Sequence, residues 1–347
     1  MNITFMIGNG FDLNLGLKTS YKNFYEYYIE NSDEDIISKS IKDNYELWAD
    51  LELGLGEILK DVKESEIEEF FDSKANLERL LTTYLTKQNK RFYIDVEDTF
   101  SEEFREKIVN FFLEFPFEDK EQYKSVIANA NETVFYQFIT FNYTNVLDQM
   151  IKLVNKKIKP FSTHTFRSTS YTDKLCLPHH IHGTLDGEDL ILCVDNPSQI
   201  ANEAFQSNRK ITDYMIKTNV NKALGERKTE IAKEIIDKSK YICLFGLSIG
   251  DTDCTWWKYL VEWLNRSESN RLILFVRDDS KVQRSGGETI RFRDKKREDF
   301  GDKSCTGGDL YDKISNKIIV VRNSDIFTYE STSTEDEDNG QAEDAQC

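Results

Sequence analysis

The sequence predicts an α/β fold: a Rossmann-like, mostly parallel sheet with a large helical insertion. Three observations predict it. Short runs such as residues 3–7, 134–140 and "YICLFGL" are apolar throughout or nearly so, as strands are when helices cover both faces of a parallel sheet. Segments of helical periodicity separate these runs. Unusual residues follow them at Gly8-Asn9-Gly10, Asn142, His180/His182 and Gly246-Leu247-Ser248, where open α/β sheets bind ligands beyond their carboxyl strand ends.

The first strand, residues 3–7, stops at Gly8-Asn9-Gly10. Glycines there would let backbone N–H groups approach a pyrophosphate. The spacing is neither G-x-G-x-x-G nor a Walker loop, and a tight strand-to-helix turn explains it equally well. Residues 21–133 read as helical. Trp48, Leu51, Leu55, Ile58 and Leu59 recur at helical spacing, as do Phe100, Phe104, Ile108, Phe111 and Phe112. This insertion carries no recognisable chemistry and is expected to be scaffold, lid or partner surface.

A strand at 134–140 runs into "FNYTN" and a helix at 146–154. The Asn142 amide could hold a sugar hydroxyl or a water, or cap the helix. Three of the four histidines follow: His179, His180 and His182. In an extended segment His180 and His182 share a face and His179 points to the other. A metal site would need a third ligand, for which Asp186 is the best candidate. A general base near neutral pH and a structural histidine fit this segment equally.

A long polar helix is expected near 201–238, with Gly225 as its break. The apolar run "YICLFGL" must be central, and "GLSIGD" ends it. Gly246 and Ser248 could donate to phosphate or ribose oxygens. Asp251 and Asp253 could accept from sugar hydroxyls or cap the next helix, whose Trp256, Leu260, Trp263 and Leu264 share one face. "RLILFVRDD" and "KIIVVRN" complete the sheet.

The 347 residues are expected to form one domain over 1–329 and a disordered tail over 330–347. That tail holds seven acids and no base, and such a composition cannot bury enough surface to order itself. The net charge of −17, with no basic stripe, argues against a nucleic-acid partner. None of Cys176, Cys193, Cys243, Cys254, Cys305 and Cys347 forms a C-x-x-C pair. That favours a reducing cytoplasm and argues against a zinc ribbon. The longest apolar runs are strand-sized, so no membrane span is expected.

Taken in order, "IGNGFDL…GLKTSY", "FNYTNVLD", "HIHGTL" and "FGLSIGD" resemble the bacterial abortive-infection AbiH family. They also look like the wider sirtuin-like NAD-binding fold used in phage defence. The resemblance implies a nucleotide pocket begun by Gly8, Asn9 and Gly10, with Thr19 and Ser20 of the "GLKTS" element. Thr140 and Asn142, with Thr144 or Asn145, match its second motif, and Asn142 would position the ribose or the attacking water. His182 with Gly183 matches the element that supplies the catalytic histidine. Gly246 and Ser248 match the element that contacts adenosine, and Asp12 and Asp251 would meet sugar hydroxyls. Asn9 stands where that fold has alanine, and Lys18 where it has proline. The paired cysteines of the deacylase zinc module are missing. The implied activity is therefore hydrolysis of NAD at the nicotinamide–ribose bond, with NAD as substrate and no prosthetic group or metal. The implied role is an effector set off by a phage-derived trigger, with homo-oligomer assembly left open. A non-catalytic nucleotide sensor, or a hydrolase of another nucleotide, fits the same motifs.

Overall fold

The computed structural model describes residues 1–94, 99–187, 189–279, 285–304, 308–329 and 332–334. The chain opens with β1 (Asn2–Ile7) and a five-residue helix, α1 (Gly10–Asn14). Then come α2 (Tyr21–Asn31), α3 (Ile36–Asp43), α4 (Leu51–Glu57) and α5 (Ile67–Arg91). The strand β2 (Phe92–Ile94) leads to α6 (Thr99–Val109) and α7 (Phe117–Ala128). β3 (Phe135–Thr140) and α8 (Val146–Lys157) precede a hairpin, β4 (Ser162–Phe166) and β5 (Thr169–Leu175), and the two-residue β6 (His179–His180). Four short helices follow: α9 (Glu203–Gln206), α10 (Arg209–Met215), α11 (Lys217–Ala223) and α12 (Lys228–Asp237). The chain continues through β7 (Ser239–Phe245), α13 (Cys254–Arg266), β8 (Arg271–Val276), α14 (Gly286–Lys303), α15 (Gly308–Ile314), β9 (Ile318–Arg322) and β10 (Thr332–Thr334).

The central sheet runs β4-β5-β3-β1-β7-β8-β9, and β6 adds to β3 beyond β5. Every pairing in it is parallel except the β4/β5 hairpin. From β1 the chain builds outward to β3 and β5, then returns to β7 and builds outward on the other side. The spatial order therefore reverses beside β1, which opens a crevice beyond the strand ends. Register makes this crevice a single place. Ile7 pairs with both Thr140 and Phe245, and Thr140 pairs with His180. Gly8, Phe141, Ile181 and Gly246 consequently leave the sheet in one row.

Strand alternation sends Ile3, Phe5 and Ile7 into one core, with Phe100, Phe104, Phe111 and Met150. Met6 enters the opposite core, with Ile236, Trp257, Leu260 and Phe300. The helical insertion divides between two tasks. α6 and α7 cover a sheet face, while α2–α5 form a separate core with Tyr143, Leu192, Val194, Phe205 and Met215. That second core caps the carboxyl edge near β1 and β3.

Two expectations change. Residues 201–238 form four short helices instead of one long one. Asn202 and Asn208 side chains cap new helix starts, Val194 bridges to Ile216, and Gly225 takes a φ of +70°. Part of the segment expected to be a disordered tail is strand: Thr332–Thr334 pair antiparallel with Phe92–Ile94. Residues 330, 331 and 335–347 of that segment lie outside the described residues, as does Cys305. No helix among the described residues is long and apolar enough to cross a membrane.

Candidate functional site

Two glycine turns meet at the level end of β1 and β7. Gly8 N–H donates to the Phe245 carbonyl at 2.9 Å and Gly10 N–H to the Gly246 carbonyl at 2.8 Å. A Cβ on Gly10 would stand 2.5 Å from Gly246 Cα, and one on Gly246 would stand 2.5 Å from Phe11 N. Gly246 also has a φ of +68°, which favours glycine. These glycines thus permit backbone-to-backbone contact, and the N–H groups of Gly8 and Gly10 are engaged by the neighbouring turn. Asn9 is tied to Thr19: its amide donates to the Thr19 carbonyl and its oxygen accepts the Thr19 hydroxyl at 2.6 Å. Ser20 caps α2 by accepting Asn23 N–H.

On the β3 side of this contact lies a buried polar group. Asp12 Oδ2 accepts the Thr144 hydroxyl at 2.7 Å, while Asp12 Oδ1 is buried without a close hydrogen-bond partner. Burial raises the Asp12 carboxyl to about 6, against the pull of Thr144, Asn142 and His180. The Asn142 carbonyl lies 3.1 Å from His180 Nδ1, and His180 Nε2 lies 2.8 Å from Asp148 Oδ2. Because a carbonyl only accepts, the first contact places a proton on Nδ1.

His182 faces elsewhere. Its ring meets Phe141 edge-on and lies tilted over Tyr143, with Nε2 3.6 Å from Asp253 Oδ1. Extended pairing ends at His180, and Gly183 turns the chain with a φ of +84°. The i, i+2 alternation therefore does not carry through to His182, and the two imidazoles have separate partners. His179 Nε2 lies 2.7 Å from the Lys228 carbonyl. Asp186 accepts the Asn145 amide at 2.6 Å, away from both histidines. Among the described residues no three His, Cys, Asp or Glu side chains are grouped to hold a metal.

Behind His182 sits a clasp joining three distant segments. Lys217 Nζ donates to Glu52 Oε2 at 2.7 Å, Asp253 Oδ1 at 2.9 Å and the Thr252 carbonyl at 2.9 Å. Burial alone would lower Lys217, but Asp253 and Glu52 hold it above its ordinary value. Burial alone would raise Asp253, but Lys217 and then His182 hold it down. Glu52 is pushed well up by burial, with Asp253 and Asp50 adding to the effect against Lys217. One buried ammonium thus keeps one carboxylate ionised and leaves the other short of compensation. Burial, and next Lys217, bring His182 down to about 3, so it is neutral at neutral pH.

Across the glycine contact, beyond β7, β8 and β9, opens a cavity of about 760 Å³. Gly10, Gly246 and Ser248 line it, with an apolar floor including Leu244, Leu274 and Phe275. Arg277, Lys296, Lys303, Asp279, Asp299 and Asp302 stand around it. Asp251, at the start of the next short helical turn, accepts from Lys303 at 2.9 Å. The "GLSIGD" loop separates cavity from clasp, and its Ile249 has a φ of +52°. A β-branched residue pays about 1–2 kcal/mol for that conformation, so this wall is strained.

The structure brings Gly10, Gly246 and Ser248 to one cavity and sets Asp12 beside Asn142; sequence reasoning put all five in one nucleotide pocket and did not pair Asp12 with Asn142. It missed Glu52 and Lys217. The signal for Glu52 was an acid amid the apolar face of Leu51 and Leu55; Lys217 had none, lying in a stretch rich in polar residues. None of the curated proteins matches this chain. The family model for bacteriophage abortive infection AbiH matches residues 4–275, from within β1 to within β8. That span takes in both glycine turns, the Asp12–Asn142 group and the clasp, and the chain belongs to the bacteriophage abortive infection AbiH family.

Proposed function

We propose that this AbiH-family chain is a phage-defence effector that binds NAD across the carboxyl edge of its sheet and hydrolyses the nicotinamide–ribose bond. One observation carries the reading: the 760 Å³ cavity opens beyond β7, β8 and β9 beside the β1/β7 seam where strand order reverses, and Gly10, Gly246 and Ser248 of that seam wall it. Counted outward from β1, the parallel strands follow the doubly wound order of dinucleotide-binding sheets, to which the sirtuin-like fold belongs. The cavity volume is in the range of cofactor sites.

In this reading the adenosine end occupies the cavity. The diphosphate passes the glycine contact. Since Gly8 and Gly10 N–H groups are engaged there, Lys296, Lys303 and Arg277 supply the charge that attracts it. The nicotinamide ribose then reaches Asn142 and His182. Nicotinamide leaves as a neutral molecule, the oxocarbenium-like ribose takes a water oxygen, and His182 accepts the water proton. Oriented dipoles such as the Asn142 amide supply the stabilisation that such a transition state needs.

One observation favours a second reading, binding without turnover. His182 is enclosed by the clasp, and a base held at about 3 drives proton transfer weakly. A trigger that loosens Lys217 from Asp253 would reconcile the two. The test is calorimetric titration of NAD into purified protein, beside an assay of nicotinamide release, for wild type and Ser248→Trp. Wild type is expected to bind and release nicotinamide, and Ser248→Trp to lose both by filling the cavity. Tight binding with no release, even with phage lysate added, would replace hydrolysis by sensing. Undiminished binding by Ser248→Trp would rule out the cavity.

A further inference from the structure

Asn142 is held from two sides by groups that the chemistry above leaves unused. His180 Nδ1 holds its backbone carbonyl at 3.1 Å and is itself backed by Asp148 at 2.8 Å. Its side-chain amide lies against the Asp12 carboxyl. That carboxyl is almost wholly buried, at 1% exposure, and only Oδ2 has a firm partner, the Thr144 hydroxyl. Leaving Oδ1 buried without a close partner is costly to the fold.

An amide has one donating end and one accepting end, whereas an ionised carboxylate only accepts. An ionised Asp12 therefore draws the NH₂ end of Asn142 towards itself and turns the amide oxygen away. We propose that Asp12 is a positioning residue for Asn142: ionised, it presents the Asn142 amide oxygen to the ribose hydroxyl or attacking water, and protonated, it releases that orientation. The proposal rests on reading Asn142 as the group that positions ribose or water. It separates Asp12 from direct contact with a sugar hydroxyl, for which its burial leaves no room in this state.

The titratable group facing Asp12 is His180 of β6, with Asp148 of α8 behind it; Thr144 and Asn142 are its polar neighbours. Burial raises the carboxyl to about 6 despite all three. The orientation of Asn142 then changes just below neutral pH.

The experiment is a pair of pH series on the full-length protein, wild type, Asp12→Asn and Thr144→Val, following NAD consumption and thermal midpoint. Wild-type kcat is expected to fall as the pH drops below about 6. Asp12→Asn should lose that limb, and its plateau should drop about 10²-fold through misorientation, with the Kd for NAD little changed. Thr144→Val removes a hydrogen bond that favours the ionised form, so its limb should move to higher pH. A carboxyl whose folded-state value is raised loses stability as pH rises through about 6. The neutral isostere Asp12→Asn should therefore melt higher than wild type at pH 8, by a smaller margin at pH 5 and not at all below about 3.8. An unchanged plateau in Asp12→Asn, or a lower midpoint at pH 8, overturns the proposal. If wild type consumes no NAD at any pH, hydrolysis fails as a reading while the midpoints still decide Asp12. A gain at pH 8 keeps it as a carboxyl held against stability, and a loss makes it structural.

Discussion

The two sides of the Gly8–Gly10/Gly246 contact begin at the same row of strand ends yet treat charge in opposite ways. On the β3 side Lys217, Glu52 and Asp253 are buried and committed to one another. On the β9 side Lys303–Asp251, Lys296–Asp299 and Arg277–Asp279 are short pairs between side chains from 33% to 78% exposed. A buried charge fixes geometry and proton affinity, because no water can replace its partner. An exposed charge can exchange its partner for a ligand at little cost. The first side holds its groups in fixed geometry, and the second leaves its charges able to change partners.

The contrast breaks most readily at the lysines. Lys217→Met would leave Glu52 and Asp253 facing each other without a cation, and should cost about 3–5 kcal/mol by denaturant midpoint at neutral pH. Lys303→Met should cost about 0–1 kcal/mol. Equal losses would erase the distinction between the two sides. Gly246→Ala strikes the wall itself. Its Cβ would stand 2.5 Å from Phe11 N, and the strain should cost about 1–3 kcal/mol, plus ~1–2 kcal/mol for the left-handed backbone. A stable, cooperative Gly246→Ala would mean that the two turns can separate freely.

A smaller effect sharpens the comparison through pH. His182 is brought from 6.5 down to about 3 in the folded state. The unfolded chain then binds the extra proton first, so His182 costs stability as the pH falls below 6.5. Relative to His182→Gln, wild type should lose about 2 kcal/mol between pH 7.5 and 5. Asp12 acts in the opposite direction over part of that range, which is why the difference between the two proteins, and not the wild-type curve, is the measure. Parallel curves would place His182 in contact with solvent.

Much of the sheet was legible in the sequence because its strands are largely buried on both faces: residues 3–7, 134–140 and 241–247 are apolar but for Thr4, Gln137, Thr140 and Gly246. The motif residues were legible because register brings consecutive strand ends level. The hairpin β4/β5 was not, since "STHTF" and "TSYTDKL" carry mostly Thr, Ser and charge on an exposed edge. The division of the helical insertion was also hidden. Periodicity shows that Trp48 and Phe104 are each on a buried face, but both faces look alike, and only the fold puts one over the strand ends and the other on the sheet. Lys217 shows the general limit. A lysine among "IKTNVNKA" reads as solvated until two carboxylates from elsewhere close on it.

Two-ended binding with cleavage at the β3 side is tested most directly by nicotinamide release from NAD by purified wild type and His182→Ala, with His179→Ala as the control, since His179 is bonded to the Lys228 carbonyl. Loss of the proton acceptor predicts a rate about 10²–10⁴ lower in His182→Ala, with NAD affinity retained in the cavity and His179→Ala close to wild type. A folded His182→Ala that releases nicotinamide at the wild-type rate, or a wild type that binds NAD and never cleaves it, would contradict that assignment.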